Sequence, residues 1–200
     1  MKIYPVTSSI VILFIVFFNI HNAFAQAAPE GLKTGDVAPD FTSINQFGDI
    51  IHLKNELEKG SVVLIFYRGE WCPYCNRQLA QLQDSLPMIT AKHATVIAVT
   101  PEQRKGVTET IAKTKAMFSI LSDDSLKILS AYKVNFKMSA GKNIIHVANG
   151  IDLKERNGSN SDNLPVPAVY IINPEGKITY RFFDTNFRKR ASVAEILNNL

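Results

Sequence analysis

The chain holds two cysteines, Cys72 and Cys75, separated by Pro73 and Tyr74. Thiols at this spacing can share a metal ion, staple the chain, or cycle between dithiol and disulfide. A structural zinc draws about four Cys or His ligands at short spacings, whereas His52, His93 and His146 are scattered singly. A staple of this kind closes a tiny loop and removes little chain entropy. Redox exchange is the strongest use for the pair, with a low-pKa thiolate attacking and the second thiol closing the disulfide. Arg68 can offer positive charge to such a thiolate, and Glu70 opposes it. Trp71, Tyr67 and Tyr74 shield part of the site and shape an apolar contact surface.

A thiolate needs elements that hold and stabilise it. Residues 62–67 (VVLIFY) are a continuous β-branched and aromatic run, the pattern of a strand buried on both faces. Residues 69–73 break that run, and Leu79, Leu82 and Leu86 then recur at helical spacing. The cysteines therefore lie where strand gives way to helix, with Cys75 in the first turn. Unpaired backbone N–H groups and the positive end of the helix dipole favour a thiolate there. Pro73 suits a helix start, because its missing N–H has no bond to lose.

Elsewhere, residues 41–44 and 50–53 flank Gly48-Asp49 as a short hairpin, and 54–59 reads as one helical turn. Residues 96–99 and 118–121 read as strands, with a surface helix over 103–115 and another after Asp124. Residues 168–172 and 178–183 bracket the turn at Pro174-Glu175-Gly176, and a last helix begins near Ser192. Residues 135–164 are rich in Gly and Asn; 144–147 reads as a small strand, and 143–162 either covers the site or, the reading preferred, is a plain surface loop. Strands alternating with helices predict an α/β fold, a three-layer sandwich with a mixed central sheet and an N-terminal hairpin extension.

The N-terminus carries Lys2, then nine apolar residues at 10–18, then Ala23-Phe24-Ala25. That order predicts a signal peptide over 1–25, a linker over 26–34 and one domain over 35–200. An apolar run that short does not span a bilayer as a stable helix, so the protein is expected to be exported to the periplasm or extracellular side of a bacterial cell, without stable membrane insertion after cleavage. Lys and Arg exceed Asp and Glu by only 22 to 18. The densest basic cluster, residues 188–190, comes with no reading motif, which argues against nucleic-acid binding.

Three segments together resemble a known family: 66–75 (FYRGEWCPYC), 35–41 (GDVAPDF) and 166–178 (VPAVYIINPEGKI). They are similar to the peroxiredoxin-like branch of the alkyl hydroperoxide reductase/thiol-specific antioxidant family, within the thioredoxin superfamily. The resemblance implies a thioredoxin-like fold and a thiol-dependent peroxidase recycled by a thioredoxin-like donor, with no metal or organic cofactor. It also implies a cis peptide at Pro167 facing the cysteines, with the backbone of Val166 placed to pair with a substrate, and Trp71 and Tyr74 beside it. The chain departs from the family motif of Pro, three residues, Thr, two residues and Cys. Aligned on Phe66-Tyr67, Cys75 takes the peroxide-attacking position and Cys72 replaces the threonine. No arginine immediately precedes Val166; Arg68 can substitute by position, while Arg181 and Arg188 read as surface charges. In a thioredoxin-type reductase, Cys72 attacks and Cys75 resolves. Peroxide reduction by Cys75 or Cys72, exchange with a protein disulfide led by Cys72, and a non-enzymatic binding role are the readings open at this point.

Overall fold

The structure is a computed structural model that describes residues 28–200; the expected signal segment lies outside them. In chain order the elements are β1 (Thr42–Ile44), β2 (Ile50–His52), α1 (Leu53–Leu57), β3 (Ser61–Phe66), α2 (Pro73–Asp84), α3 (Leu86–Thr90), β4 (Ala94–Thr100) and α4 (Arg104–Thr114). They continue as β5 (Ser119–Ser122), α5 (Lys127–Ala131), β6 (Asn135–Lys137), α6 (Ala140–Ala148), α7 (Leu153–Asn157), β7 (Asn163–Pro165), β8 (Ala168–Ile172), β9 (Ile178–Phe183) and α8 (Val193–Asn198). A five-stranded sheet runs in the order β5-β4-β3-β8-β9. β3, β4 and β5 are parallel, joined by helical crossovers, and β8 and β9 are antiparallel. The sheet is mixed, as expected, and β1 with β2 forms the predicted hairpin.

Central strand β3 shows why three layers form. Alternate side chains of a strand point to opposite faces. Val62, Leu64 and Phe66 enter one core with Leu53, Leu57, Ile128 and Tyr170. Val63, Ile65 and Tyr67 enter the other with Leu79, Leu82, Ile89, Val107 and Ile196. Each of these large side chains contributes about 2 kcal/mol by leaving water, so both faces of β3 must be covered. Helices from both sides of the chain do that.

Four expectations are corrected. Residues 144–147 are not a strand but part of α6, which starts after Ser139. Helical geometry gathers Ile144, Ile145 and Val147 on the solvent side and turns Asn143 and His146 the other way; none of its residues is buried. The excursion 143–162 is accordingly not a plain surface loop, because α6 and α7 occupy most of it. The Val166–Pro167 bond is trans, as are all peptide bonds among the described residues. Val166 N–H donates to Val134 O at 2.8 Å, and trans is the intrinsically preferred isomer. That N–H is thus engaged inside the protein. Finally, the described part of the 26–34 segment is docked: Leu32 is buried, its N–H donates to the Tyr170 hydroxyl at 3.1 Å, and Gly31 N–H donates to Lys133 O.

Candidate active site

β3 ends at Phe66, the chain turns through residues 67–72, and α2 begins at Pro73. Cys72 is the residue capping α2, with extended backbone, and Cys75 lies in its first turn. Cys75 N–H donates to Cys72 O at 3.0 Å, and Cys72 N–H to Gly69 O at 3.1 Å. Both thiols are free and closed off from solvent, at 1% and 0% exposure.

The two sulfurs differ. Hydrogen bonding from the Cys75 thiol, then from the Cys75 backbone N–H, with the charges of Arg68 and Arg190 behind them, draws the Cys72 thiol down to about 6 against its own burial. Burial pushes the Cys75 thiol well above the ordinary range, and donating its hydrogen to Cys72 adds to that. Arg190 Nη2 lies nearer Cys75 Sγ, at 3.4 Å, than Cys72 Sγ, at 4.0 Å. Proximity to this cation therefore points one way and burial the other. Complete burial within an apolar cluster outweighs a half-ångström advantage, because desolvating a thiolate is the costlier effect. Cys72 carries the negative charge.

Over the sulfurs lies a cover of aromatic and cationic groups. The Arg68 guanidinium is sandwiched between the Trp71 and Phe187 rings, 4.6 Å from each centroid. Its Nη2 is 3.2 Å from His146 Nε2. His146 Nδ1 lies 3.1 Å from Lys142 O, and this contact assigns the ring hydrogen to Nδ1 and leaves Nε2 to accept from Arg68. Trp71 meets the His146 ring edge-on at 5.4 Å, and Tyr74 meets Phe187 at 5.9 Å.

A buried acid stands at the same end of the sheet. Glu102, just past the carboxyl end of β4, is 0% exposed, and its Oε2 accepts from Glu70 N–H at 2.8 Å. Burial, then the charges of Cys75 and Glu109, push its carboxyl up to about 9. Glu70 does not oppose Arg68 as expected. It is buried and ion-paired to Lys113 of α4 and Arg156 of α7, and its carbonyl accepts from Asn76 Nδ2 at 2.6 Å. Those bonds fix the loop that presents Cys72.

Of the residues singled out from sequence, Arg68, Trp71, Cys72, Tyr74 and Cys75 come together, while Val166 and Pro167 are buried beside β7 and β8. Arg181 instead binds Glu30 O at 2.6 Å and stacks on Phe183, and Arg188 lies over Phe187. Sequence reasoning missed Arg190, His146 and Glu102. Arg190 was hidden in the surface-like run 188–190. For Glu102 a signal existed: an acid placed beyond the carboxyl end of the strand next to β3, where α/β sheets gather their chemistry. Among the described residues no group of three or more His, Cys, Asp or Glu could hold a metal.

A dithiol at a strand-to-helix junction, on this sheet order, defines a thioredoxin-like oxidoreductase of the kind that works through its own sulfurs. The AhpC/TSA family profile matches residues 34–181, and the chain belongs to that family as a thiol-dependent oxidoreductase of the peroxiredoxin type. It is 26% identical over 171 residues to a putative peroxiredoxin bcp of Helicobacter pylori, covering 86% of this chain and 99% of the relative. It is 23% identical over 162 residues to the thiol-disulfide oxidoreductase ResA of Bacillus subtilis, covering 80% and 73%. Peroxidoxin BcpB of Mycobacterium tuberculosis shares the fold at a TM-score of 0.65 and 17% identity, covering 84% of this chain and 96% of that one.

Proposed function

We propose that the chain reduces hydrogen peroxide or alkyl hydroperoxides, with Cys72 as the attacking thiolate and Cys75 as the resolving thiol. The observation that carries this reading is the placement of Cys72 as the residue capping α2 and of Arg190 within 4.0 Å of both sulfurs, which favours a thiolate on Cys72 while burial pushes the Cys75 thiol up. At neutral pH Cys72 is a thiolate with guanidinium groups of Arg68 and Arg190 beside it. Its sulfur attacks the terminal peroxide oxygen, the O–O bond breaks, and Cys72 becomes a sulfenic acid as the alkoxide leaves and takes a proton. Arg190 and Arg68 stabilise the charge that moves onto the leaving oxygen. Cys75 then attacks the Cys72 sulfur, releasing water and closing the disulfide. A thioredoxin-like dithiol returns the pair to its reduced state. The signal-like residues 1–25 support action outside the cytoplasm.

Stopped-flow oxidation of the reduced protein by hydrogen peroxide, followed by Trp71 fluorescence, tests the assignment. Cys72→Ser should abolish fast oxidation, and Cys75→Ser should keep it while accumulating a sulfenic acid that dimedone traps. Fast oxidation that survives in Cys72→Ser would give the attacking role to Cys75. Peroxide reactivity no better than a free thiol, alongside rapid exchange of Cys72 with a disulfide probe, would make this a thiol–disulfide oxidoreductase.

A further inference from the structure

The guanidinium groups of Arg68 and Arg190 are short of negative charge. Among the described residues neither has a carboxylate oxygen within 4.0 Å. Arg68 is 5% exposed, and its partners are neutral: the faces of Trp71 and Phe187, and Nε2 of His146. Arg190 Nη1 donates to the carbonyls of Phe187 and Lys189, and Nη2 faces Cys75 Sγ at 3.4 Å and Cys72 Sγ at 4.0 Å. Phe187 thus joins the two cations, with its ring on one and its carbonyl on the other. The Nε of each arginine is buried without a hydrogen-bond partner, and so is Trp71 Nε1. Acids in the flanking segments are committed elsewhere, Glu70 to Lys113 and Arg156, and Asp184 to Lys189. Burial works against the Arg68 charge, the two sulfurs work for it, and Arg190 works against it again.

In the reduced protein the thiolate of the cysteine pair supplies one negative charge to these two cations. Closing the disulfide removes that charge, whichever sulfur carried it, and leaves both guanidinium groups as they were. A buried charge deprived of its partner is strongly unfavourable. We propose that the disulfide form takes up a small monovalent anion between Arg68 and Arg190, and that this anion competes there with the incoming thiolate of the reductant. The proposal rests on the reading of the two cysteines as a redox pair.

The walls set the class of anion. Ring faces of Trp71 and Phe187 replace little of an ion's water, so sulfate, phosphate and fluoride lose more hydration than the site restores. Thiocyanate, iodide and nitrate hold water loosely and match guanidinium, itself weakly hydrated. A buried N–H left unmade carries its own desolvation penalty, and an anion accepting from any of the three unpartnered donors relieves it. Once bound, the anion cancels the positive charge that draws a reductant's thiolate to Cys72. It undergoes no covalent step itself. Return to the dithiol is slowed, and peroxide reduction by the dithiol form is not, because there the thiolate already fills the place.

The test uses the full chain oxidised by diamide, with the Cys72–Cys75 disulfide verified by intact mass, beside the dithiol form. Ionic strength is held constant with fluoride. The NMR line of added chloride should be broader over the disulfide form than over the dithiol form, and thiocyanate should remove the excess. Opening of the disulfide by dithiothreitol should slow about tenfold along a saturating curve as thiocyanate replaces fluoride, the size of effect one adjacent charge exerts. Peroxide oxidation of the dithiol form should not change. Arg190→Met should weaken thiocyanate binding about tenfold, as loss of one charged hydrogen bond does. Equal chloride line widths over the two forms would overturn the proposal, and would assign the charge relief to guanidinium groups turning out to solvent. Opening and peroxide oxidation slowed in parallel, or slowing that fluoride reproduces, would overturn it as well. These comparisons stand on wild type and need no variant to fold. If diamide forms no Cys72–Cys75 disulfide, the redox pair itself fails and this proposal with it; a disulfide that forms in a protein inert to peroxide leaves the test intact.

Discussion

The two sides of the thiol pair are built from opposite materials. Above the sulfurs lie Arg68, Arg190, His146, Trp71 and Phe187, drawn from the loop after β3, the helix α6 and the segment before α8. On the core side lie Tyr67 after β3, Glu102 after β4 and Thr110 of α4, all buried. The upper side supplies positive charge and partly exposed aromatic rings; the lower side supplies a buried acid whose proton is held to about pH 9. Two identical side chains three positions apart thereby become chemically unlike. Local sequence makes the pair, and the surroundings decide which sulfur is charged.

The largest expected effect sharpens this contrast at the sulfurs themselves. Cys72→Ser should lose fast peroxide oxidation altogether and Cys75→Ser should lose only disulfide closure, read by stopped flow and by intact mass. Next comes the cationic side. Cys72 is the charged thiol, so the peroxide rate of wild type should rise with pH through about 6 and level off above it. Arg190→Met removes one cation acting on Cys72 and should move that midpoint upward; a rise of about one unit corresponds to about a tenfold lower thiolate fraction at acid pH. An unmoved midpoint would strip Arg190 of its electrostatic role.

A thermodynamic comparison comes third. The folded Cys72 thiol lies below its ordinary 9.0, so its contribution to stability is present above that value and is lost as pH falls through 6. Glu102 lies above its ordinary 4.5, so its contribution is full below that value and is lost as pH rises through 9. Between pH 6 and 9 the two slopes oppose one another, each at most about 1.4 kcal/mol per pH unit. Urea unfolding of the reduced wild type should be nearly flat across this window. Cys72→Ser should grow less stable with rising pH, and Glu102→Gln more stable; the same slope in all three would refute the contrast. The smallest effect belongs to the cover: His146→Ala removes the contact with Arg68 and the edge against Trp71, and should speed thiol labelling by a bulky aromatic disulfide more than by hydrogen peroxide.

Much of the scaffold was legible in the sequence. Residues 62–67 announced a strand buried on both faces because each of its side chains meets a core, and the leucines of α2 fell at helical spacing. Asn45 and Asp49 give the hairpin turn a local hydrogen-bond pattern of its own. The misreadings have a common cause. α6 carries β-branched residues at 144, 145 and 147, which locally favour a strand, and the long-range contacts of His146 with Arg68 and Trp71 and of Asn143 with Asp162 give the helix its place. Arg190 reaches Cys75 across 115 residues of chain; no spacing rule joins them. Pro167 was assigned cis from resemblance, and the bond before it is trans.

The one-sided character of α6 has a consequence for how the molecule breathes. A helix with no buried residue is held by few contacts, and such elements open locally at far lower free energy than the global transition. Detachment of α6 removes His146 from Arg68 and leaves both hydrophobic cores intact. The amides of residues 140–148 should therefore exchange with deuterium earlier than those of β3 or α2. Reach to the thiols by anything larger than a peroxide then follows that local equilibrium, so that warming widens the range of accepted partners well before the protein melts.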